Sequence, residues 1–463
     1  MAEAQVAQAR GGAERPAKLQ WSKYQIYLVG LLLLVTVSNY LDRIVIGVLQ
    51  EPIKVDLGLS DKQLGLLSGP AFALFYSVAG IPVARLAERA NRARVLAVAI
   101  AVWSIMTAAC GLARNYVVLL LCRVGVGMGG GGCIPVSHSL LADNFSMRQR
   151  GVVMSIVSAA PSIATILAPI IGGLVAEHYG WRTAFIVVGL PGLLLAVLVW
   201  FTVREPRTER TVAERPKSNF WADLKQLFSN PTFAFLFIGG AFIGVAYSGL
   251  TAFTVSFLMR SHDMALSQAG GVLGLSGLFG LAGTFIGGFV ADRYAGKRGL
   301  SYLITPAVGG VLTWACYMAA FQLPSWPMAM AALLAAAVAY NLKNGPIYAS
   351  VQNVAPDHMR ATASAIFMFG ATVLGSTTGP LVAGIVSDSA ASRMFPAALG
   401  AFEAACPGGR APKGAGEPLA SACASASAGG LETALLVVAC GFLVATVFLV
   451  LSALALRKQR AAG

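Results

Sequence analysis

Residues 24–49 read YQIYLVGLLLLVTVSNYLDRIVIGVL, an apolar run that one aspartate and one arginine interrupt near its end. A helix needs roughly 20 mainly apolar residues to cross the hydrocarbon core of a bilayer, and this run is long enough. Similar runs recur as far as Leu456, with only short polar interruptions. The sequence therefore predicts an all-α membrane protein with many spans.

The composition excludes most soluble classes of protein. Hydrophobic residues make up 57% of the 463 residues and charged residues only 12%, whereas about a quarter of a typical soluble protein is charged. The sequence contains no G-x-x-x-x-G-K-[ST] phosphate loop, no H-E-x-x-H and no paired C-x-x-C motif, so we expect neither an enzyme nor a bound cofactor or metal. The net charge of +14 is spread over alternate loops, which argues against nucleic-acid binding.

The apolar runs predict twelve spans in two groups of six. They are 24–49, 62–86, 94–113, 115–143, 150–178, 182–204, 231–260, 266–294, 300–322, 326–354, 360–388 and 431–457. Lys and Arg concentrate in every second loop and in both tails, an asymmetry that places those segments in the cytoplasm. We expect a multi-pass protein of the cell inner membrane, surrounded by membrane lipids, with both termini cytoplasmic.

The polar stretches divide the chain into five parts. These are a disordered cytoplasmic N-terminus 1–23, a six-helix bundle 24–204, a cytoplasmic linker 205–230, a second six-helix bundle 231–457 with an outer loop 389–430, and a cytoplasmic tail 458–463. The bundles repeat each other, since ARLAER at 84–89 corresponds to GFVADR at 288–293 and a second pair of matching segments follows at nearly the same offset. Such duplication predicts two pseudo-symmetric halves, and many secondary transporters hold a solute site between two such halves.

Four ionisable residues lie inside predicted spans, where a charge is costly and marks a functional candidate. They are Asp42, Arg43, Arg123 and Lys343. Asp42 and Arg123 both lie roughly 10–12 Å below the outer ends of their spans. A carboxylate that faces an arginine changes its proton affinity when water enters or the partner moves, so Asp42 is the candidate proton carrier. The alternative is a permanent ion pair that only joins helices.

Lys343 lies late in the tenth span, between Asn341 and Asn344. It either binds an anionic group of a solute or extends to the cytoplasmic surface. Lys343, Arg43 and Arg123 together outweigh Asp42. The sequence therefore predicts an electropositive cavity that favours an anionic or amphiphilic solute.

The repeated loop segment is rich in charge and predicts a gate on the cytoplasmic side. The candidate gating residues are Arg85, Glu88, Arg89, Arg92, Asp292, Arg293 and Arg298. If they pair only when that side is closed, they stabilise one conformational state; otherwise they are ordinary cytoplasmic charge. His138, with Asp143 five residues on, is either part of a proton relay or a structural histidine.

Two further patterns concern packing. The glycine-rich run 125–132 begins as G-x-G-x-x-G, but it lies inside a span and not after a strand, so we interpret it as close helix packing and not as a nucleotide site. Cys406 and Cys423 lie in the predicted outer loop, where they either form a disulfide or remain free thiols.

These motifs resemble the major facilitator superfamily over essentially all the spans. The likeness is carried by 84–92 with its second copy 288–298, PIIGG at 169–173 and GWR at 180–182. NYLDR at 39–43 and RATASA at 360–365 are most similar to the bacterial spinster-type transporters. The resemblance implies a proton-coupled carrier in which the family's span-1 aspartate and arginine fall on Asp42 and Arg43, its span-4 arginine falls on Arg123, and Asn39 and Tyr40 lie at the cavity.

One position departs from the family pattern. Members commonly carry a glutamate two turns after the span-4 arginine, and Gly130 stands there. We expect a monomeric, proton-coupled antiporter or exporter of an amphiphilic or anionic organic solute, lipid-like solutes included, that works by alternating access. Without that glutamate, an uncoupled facilitator or exchanger is the first alternative, and a non-transporting membrane receptor or scaffold is the second.

Overall fold

The computed structural model describes residues 21–205, 220–294, 300–356 and 359–462. Within these ranges every regular element is a helix. The α-helices are α1 Lys23–Leu57, α2 Asp61–Ser68, α3 Pro70–Arg89, α4 Arg92–Cys110, α5 Tyr116–Gly130, α6 Cys133–Asn144, α7 Met147–Ser158, α8 Ala160–Thr202, α9 Phe220–Ser229, α10 Pro231–Ser261, α11 Leu266–Arg293, α12 Ser301–Gln322, α13 Trp326–Asn341, α14 Asn344–Val354, α15 Arg360–Met394, α16 Phe402–Ala405, α17 Glu417–Ala439 and α18 Gly441–Ala462. Most of the predicted N-terminal segment and linker, and Arg298, lie outside the described residues.

Ten helical segments of the described chain are long and apolar enough to cross a membrane. One of them, Val152–Thr202, is too long for a single crossing and changes direction at Gly180, where φ is 83° and ψ is 158°. Glycine adopts this left-handed backbone without the clash that a Cβ would cause, so α8 contains two crossings. With α13 and α14 taken together as one more, the described chain accommodates the twelve crossings of the prediction.

Polar caps begin several of these helices at the edges of the apolar layer. The side chain of Ser22 accepts a hydrogen bond from the backbone N–H of Gln25, and Ser60 does the same for Gln63. Each cap satisfies a backbone donor that the first helical turn leaves free, which stabilises a helix by about 1 kcal/mol. The surface between the caps is apolar: Phe201 and Phe285 are each 78% exposed, as expected for side chains that face lipid.

The glycine-rich run packs α5 against its neighbours, as the sequence predicted. A Cβ added to Gly127 would lie 2.5 Å from the backbone oxygen of Phe72 in α3, and one added to Gly129 would lie 2.6 Å from the backbone nitrogen of Trp103 in α4. Real Cβ atoms do not come this close. Only a helix without side chains at these positions can approach both neighbours.

The chain is divided below into an N-terminal half, residues 21–205, and a C-terminal half, residues 220–462. The halves meet where α8 packs on α11, where α2 packs on α15 and where α1 packs on α10. We call the side that carries residues 205 and 220 the linker face. The opposite side, which carries residues 395–416, is the loop face.

The predicted outer loop 389–430 was too long. In the structure α15 continues to Met394 and α17 begins at Glu417, so only residues 395–416 connect them. A disulfide joins Cys406 to Cys423, with Cα atoms 5.6 Å apart. Helix α18 continues through most of the predicted tail, to Ala462.

Candidate functional site

Asp42 lies in the middle of α1, and it is 1% exposed. Its nearest polar neighbours are the Thr107 hydroxyl and the Trp103 indole of α4 and the Arg123 guanidinium of α5. Both carboxylate oxygens are nevertheless buried without a hydrogen-bond partner in the described chain, as are Thr107 Oγ1 and Trp103 Nε1. A buried charge without hydrogen bonds is costly. The state of this carboxylate should therefore respond strongly to entry of water or movement of α4.

Arg123 does not form the predicted side-chain ion pair with Asp42. Its Nη1 donates instead to the backbone carbonyl of Asp42 at 3.0 Å, and its Cζ lies 5.1 Å from the centre of the Phe72 ring. The Arg123 guanidinium therefore interacts with a carbonyl dipole and with the electron-rich face of an aromatic ring, and not with the carboxylate that we expected. Nη2 of Arg123 is buried and has no partner in the part of the chain that the structure describes.

Arg43 points from α1 toward the C-terminal half. Its Nη2 donates to Ser376 Oγ of α15, and its Cζ lies 5.6 Å from the Phe72 ring centre. Tyr247 of α10 is also within electrostatic range. No carboxylate of the described residues pairs with this guanidinium, so Arg43 is a cation between the halves without an acidic partner.

Asn39 fills the space beside Gly130. A Cβ added to Gly130 would lie 2.9 Å from Asn39 Nδ2 and 3.3 Å from the ring of Tyr76. A glutamate at position 130 would therefore collide with both side chains unless they moved. Tyr40, the next residue of α1, is partly buried and lies within electrostatic range of Tyr348 of α14.

A cavity of about 270 Å³ lies between α8 and the C-terminal half. Eighteen residues line it, three of them from α8. Those with a hydroxyl, phenol or amide group are Ser162, Thr165, Tyr247, Thr251, Thr254, Ser276, Thr284, Tyr317, Tyr340, Asn341 and Asn344. None of the lining residues is charged, and the predicted cavity residues Arg43, Arg123 and Lys343 do not line it in this conformation. Asn341 and Asn344 alone among the predicted cavity residues line it.

Lys343 lies directly beside this wall. Its Nζ donates to Asn344 Oδ1 at 2.9 Å and sits 3.9 Å from the centre of the Tyr340 ring. The residue lies at the break between α13 and α14, where Leu342 and Lys343 leave the helix. Lys343 forms no ion pair with any carboxylate of the described chain.

The loop face is closed by a buried cluster that the sequence reasoning missed. Asp61, at the start of α2, accepts hydrogen bonds from Lys54 of α1 at 2.7 Å and from both terminal nitrogens of Arg260 in α10 at 2.8 and 2.9 Å. Arg260 Nε also donates to Glu51 at 2.8 Å, and Ser387 of α15 donates to Asp61 at 2.6 Å. These five residues, the loop-face cluster, are all buried. They join the two halves.

A second contact strengthens the closure of this face. The carboxylate of Asp388, in α15, accepts from the backbone N–H groups of Asp61 and Lys62 at 2.9 and 2.8 Å. These groups belong to the first turn of α2, where a negative charge is favourable. Residues 395–416 cover the cluster, because Gly408 and Gly409 lie against Lys54.

At the linker face, the predicted gate residue Arg92 pairs within one half of the chain. Arg92 is 1% exposed and bonds to Asp143 at 2.6 Å, to Glu205 and to the Ser139 hydroxyl at 2.8 Å. All three partners belong to the N-terminal half, so in this conformation Arg92 holds that half together and does not bridge the halves. The reason is that the end of α6 and residue 205 converge on the start of α4.

The remaining predicted gate residues form no ion pair in the described chain. Arg85, Arg89 and Arg293 are exposed, and Asp292 accepts a hydrogen bond from Tyr302 at 2.8 Å. The side chain of Glu88 lies outside the described set.

His138 and Asp143, the candidates for a proton relay, lie in different surroundings in this conformation. His138 is half-buried in α6 and makes no hydrogen bond within the described residues, whereas Asp143 is bound to Arg92 at 2.6 Å.

Comparison with known proteins identifies the family to which this chain belongs. Residues 32–380 match the family model described as Major Facilitator Superfamily. The chain belongs to the major facilitator superfamily. It is 36% identical over 379 residues to an MFS-type efflux pump of Mycolicibacterium smegmatis, a match that covers 80% of this chain and 86% of that protein. It is 27% identical over 379 residues to a probable L-galactonate transporter of Escherichia coli, with 78% and 82% covered.

A solved structure extends this likeness to the spinster-type proteins. A bacterial homologue of the human lysosomal transporter Spinster, in an inward-facing and unoccupied conformation, has a TM-score of 0.84 and 30% sequence identity, covering 95% of this chain and 99% of that one. The predicted family and fold are confirmed. This major facilitator protein is therefore a multi-pass membrane transporter and not an enzyme.

The loop-face cluster gave only a weak signal in the sequence. Glu51, Lys54 and Asp61 surround the first short loop and look like ordinary charges at helix ends. Arg260 lies about 200 residues away, in the other half of this major facilitator chain. One clue to the cluster was available in the sequence. Acidic and basic residues lie at corresponding ends of the first and seventh spans.

Proposed function

We propose that this superfamily member is a proton-coupled antiporter that exports an anionic organic solute by alternating access. We place it in the cell inner membrane, with both termini cytoplasmic. The linker face is then the cytoplasmic side.

The main support for proton coupling is the buried carboxylate of Asp42. Three acidic side chains are buried among the described residues, namely Asp42, Glu51 and Asp61. Glu51 and Asp61 are paired with Arg260 or Lys54 at 2.7–2.8 Å, whereas the Asp42 carboxylate accepts no hydrogen bond from any described residue. A carboxylate inside the membrane with no fixed partner is suited to exchange a proton between conformations.

The closed loop face supports alternating access. The loop-face cluster spans both halves, while the exposed arginines of the linker face form no bridge between them in the described chain. Because the cluster can exist only when the loop face is closed, its ion pairs stabilise that state over the opposite one. Transport requires that these pairs break while others form.

The unpaired cations support an anionic solute. Arg43 lies between the halves and Lys343 lies beside the cavity wall, and among the described residues each is bound to neutral groups only. A negative group on the solute would supply the missing partner. L-galactonate, named for one relative, is an organic anion, which agrees with this choice.

Gly130 favours one alternative, an uncoupled facilitator or exchanger. Asn39 occupies the space next to Gly130, so a neutral amide stands where a second carboxylate would otherwise take part. In the antiporter that we propose, Asp42 carries the proton alone.

Flux measurements in reconstituted vesicles test the proposal. Vesicles that enclose a pH-sensitive dye are challenged with gluconate, hexanoate and a lysophospholipid, and proton movement is recorded. At least one probe should drive proton movement in the wild type, and Asp42→Asn should abolish it. The variant should still exchange labelled probe across the membrane without a gradient, which shows that it folds and binds.

Two results would contradict the proposal. Equal proton movement in the wild type and in Asp42→Asn would remove Asp42 from coupling, and solute exchange without proton movement would favour the facilitator. If the probes stabilise the protein against heat without any flux, the chain is a receptor or scaffold.

A further inference from the structure

Five of the six serine and threonine hydroxyl groups that line the cavity are already committed as donors. Each of the five donates its proton to the backbone carbonyl four residues earlier in the same helix, at 2.7–3.2 Å: Thr165, Thr251, Thr254, Ser276 and Thr284. A hydroxyl has one proton and two lone pairs. Once the proton is used in this way, the group can only accept a hydrogen bond from a solute.

The side-chain amides of Asn341 and Asn344 also use their protons for hydrogen bonds within the protein. Asn344 Nδ2 donates to Asn341 Oδ1 at 2.8 Å and to Thr284 Oγ1 at 3.2 Å. Asn341 Nδ2 donates to the backbone oxygen of Ala337 at 2.8 Å. These bonds use amide protons within the protein and leave oxygen lone pairs toward the cavity. Together with the five hydroxyls, this part of the wall therefore offers mainly acceptors.

Among the described wall residues, free donors remain at Ser162 of α8 and at three tyrosines beside Lys343. Tyr247, Tyr317 and Tyr340 make no hydrogen bond through their phenol groups in the described chain, and the rings of Tyr247 and Tyr340 stack with centres 3.9 Å apart. Beside them, the Lys343 ammonium uses one of its three protons on Asn344 Oδ1. A positive donor group thus stands at the edge of an acceptor wall.

We propose that the cavity binds a compact polyhydroxylated organic anion, whose hydroxyls donate to the threonine and serine oxygens and whose acidic group binds Lys343. This rests on the function proposed above, because it names the solute class of the same transport site. Thr251 and Ser276 are the residues that select hydroxylated solutes, and Lys343 is the residue that selects the charge.

The competing solute classes fit less well. A carboxylate on a plain alkyl chain leaves the acceptors without donors when it displaces water, and each such loss weakens binding. A neutral polyol satisfies the wall but leaves the ammonium without an anion. The volume of about 270 Å³ is just below the usual range of small-molecule pockets, roughly 300–1,000 Å³. This size favours a compact solute over one with a long acyl chain.

Three probes separate the two requirements. Gluconate has five hydroxyls and one carboxylate, hexanoate has the same chain length and charge without hydroxyls, and sorbitol has the hydroxyls without the charge. Equilibrium binding to the purified full-length chain is measured by calorimetry. Gluconate should bind at least tenfold more tightly than either hexanoate or sorbitol.

Single substitutions test which side chains contact gluconate. Thr251→Val and Ser276→Ala should each weaken gluconate binding by about three- to tenfold, as expected for one hydrogen bond, and leave hexanoate unchanged. Lys343→Met should reduce gluconate binding to the level of sorbitol and leave sorbitol unchanged. Thr433→Val is the matched control, since Thr433 makes the same bond to a backbone carbonyl at 2.8 Å and does not line the cavity. Thermal unfolding confirms that each variant folds.

Equal binding of gluconate and hexanoate, or unchanged gluconate binding in Thr251→Val and Ser276→Ala, would overturn the inference. The proposed function fails separately. If a different probe drives proton movement that depends on Asp42 and gluconate does not bind, the antiporter stands and this solute class is wrong. If gluconate binds with the expected selectivity but Asp42→Asn leaves proton movement unchanged, the solute class stands and the coupling is wrong.

Discussion

Replacing Arg260 by methionine should shift the protein away from the state in which the loop face is closed. Arg260 donates to Glu51 at 2.8 Å and to Asp61 at 2.8 and 2.9 Å. Methionine keeps much of the length and volume but removes the charge. Asp61 retains Lys54, whereas Glu51 remains buried without its cationic partner. In the opposite state, where the loop face is open, water can solvate both carboxylates, so the loss applies mainly to the closed state.

The size of the shift follows from the burial of the pair. Removing one partner of a buried ion pair costs about 3–5 kcal/mol. The lower figure, about 3 kcal/mol, changes the ratio of the two states by ~100-fold. A wild type that is closed at the loop face in about 99 of 100 molecules would become an almost equal mixture.

Spin labels at Leu112 and Met394 measure the change. Both residues lie at the loop face, one in each half, and they are 71% and 53% exposed. The five free cysteines are first replaced, and the disulfide is kept. The distance distribution of the Arg260→Met protein should contain a second population at longer distance, comparable in size to the first, where the wild type shows one main population.

Arg182→Met is the matched control at the same face. Arg182 pairs with Asp56 at 2.6 Å, but the two side chains are 41% and 44% exposed, and such pairs contribute about 0–1 kcal/mol. Its distance distribution should match the wild type. If Arg260→Met also matches the wild type, the loop-face cluster does not determine which face is closed.

Three further changes should have measurable results. Gly130→Glu should lower the melting temperature, because its Cβ would lie 2.9 Å from Asn39 Nδ2, and Asn39→Ala in the same chain should restore part of the loss; no recovery would refute the collision. Arg92→Met removes a buried guanidinium that pairs with Glu205 and with the exposed carboxylate of Asp143 and should cost about 1–3 kcal/mol, seen as reduced thermal stability with an unchanged loop-face distance distribution; a changed distribution would show that Arg92 acts between the halves. Reduction of the Cys406–Cys423 disulfide should lower stability by about 3 kcal/mol, measured by melting with and without reductant, and a reductant effect that persists in Cys423→Ser would assign it elsewhere.

The fold was predictable because its determinants are local and repeated. Apolar length identifies the spans, and the match between 84–89 and 288–293 identifies the duplication. The glycine-rich run 125–132 also predicted close packing correctly, since absent side chains have the same consequence whichever helix approaches.

Side-chain partners were less predictable, because they depend on which helices meet. Depth alone suggested that Arg123 pairs with Asp42, but the rotation of α5 directs the guanidinium to a backbone carbonyl and to Phe72. Arg92 likewise looked like a gate residue because it belongs to a repeated motif, yet Asp143 and residue 205 happen to converge on it. Periodicity gives the depth of a residue but not the neighbour on the next helix.

The loop-face cluster has a consequence for the biosynthesis of the chain. Glu51, Lys54 and Asp61 are made early, whereas Arg260 is translated about 200 residues later. Until then the ends of the first two helices carry an excess negative charge that the late arginine neutralises. An N-terminal fragment made alone should therefore be recognised as unfinished by quality control, and co-expression with the separate C-terminal fragment should rescue it by supplying the missing cation.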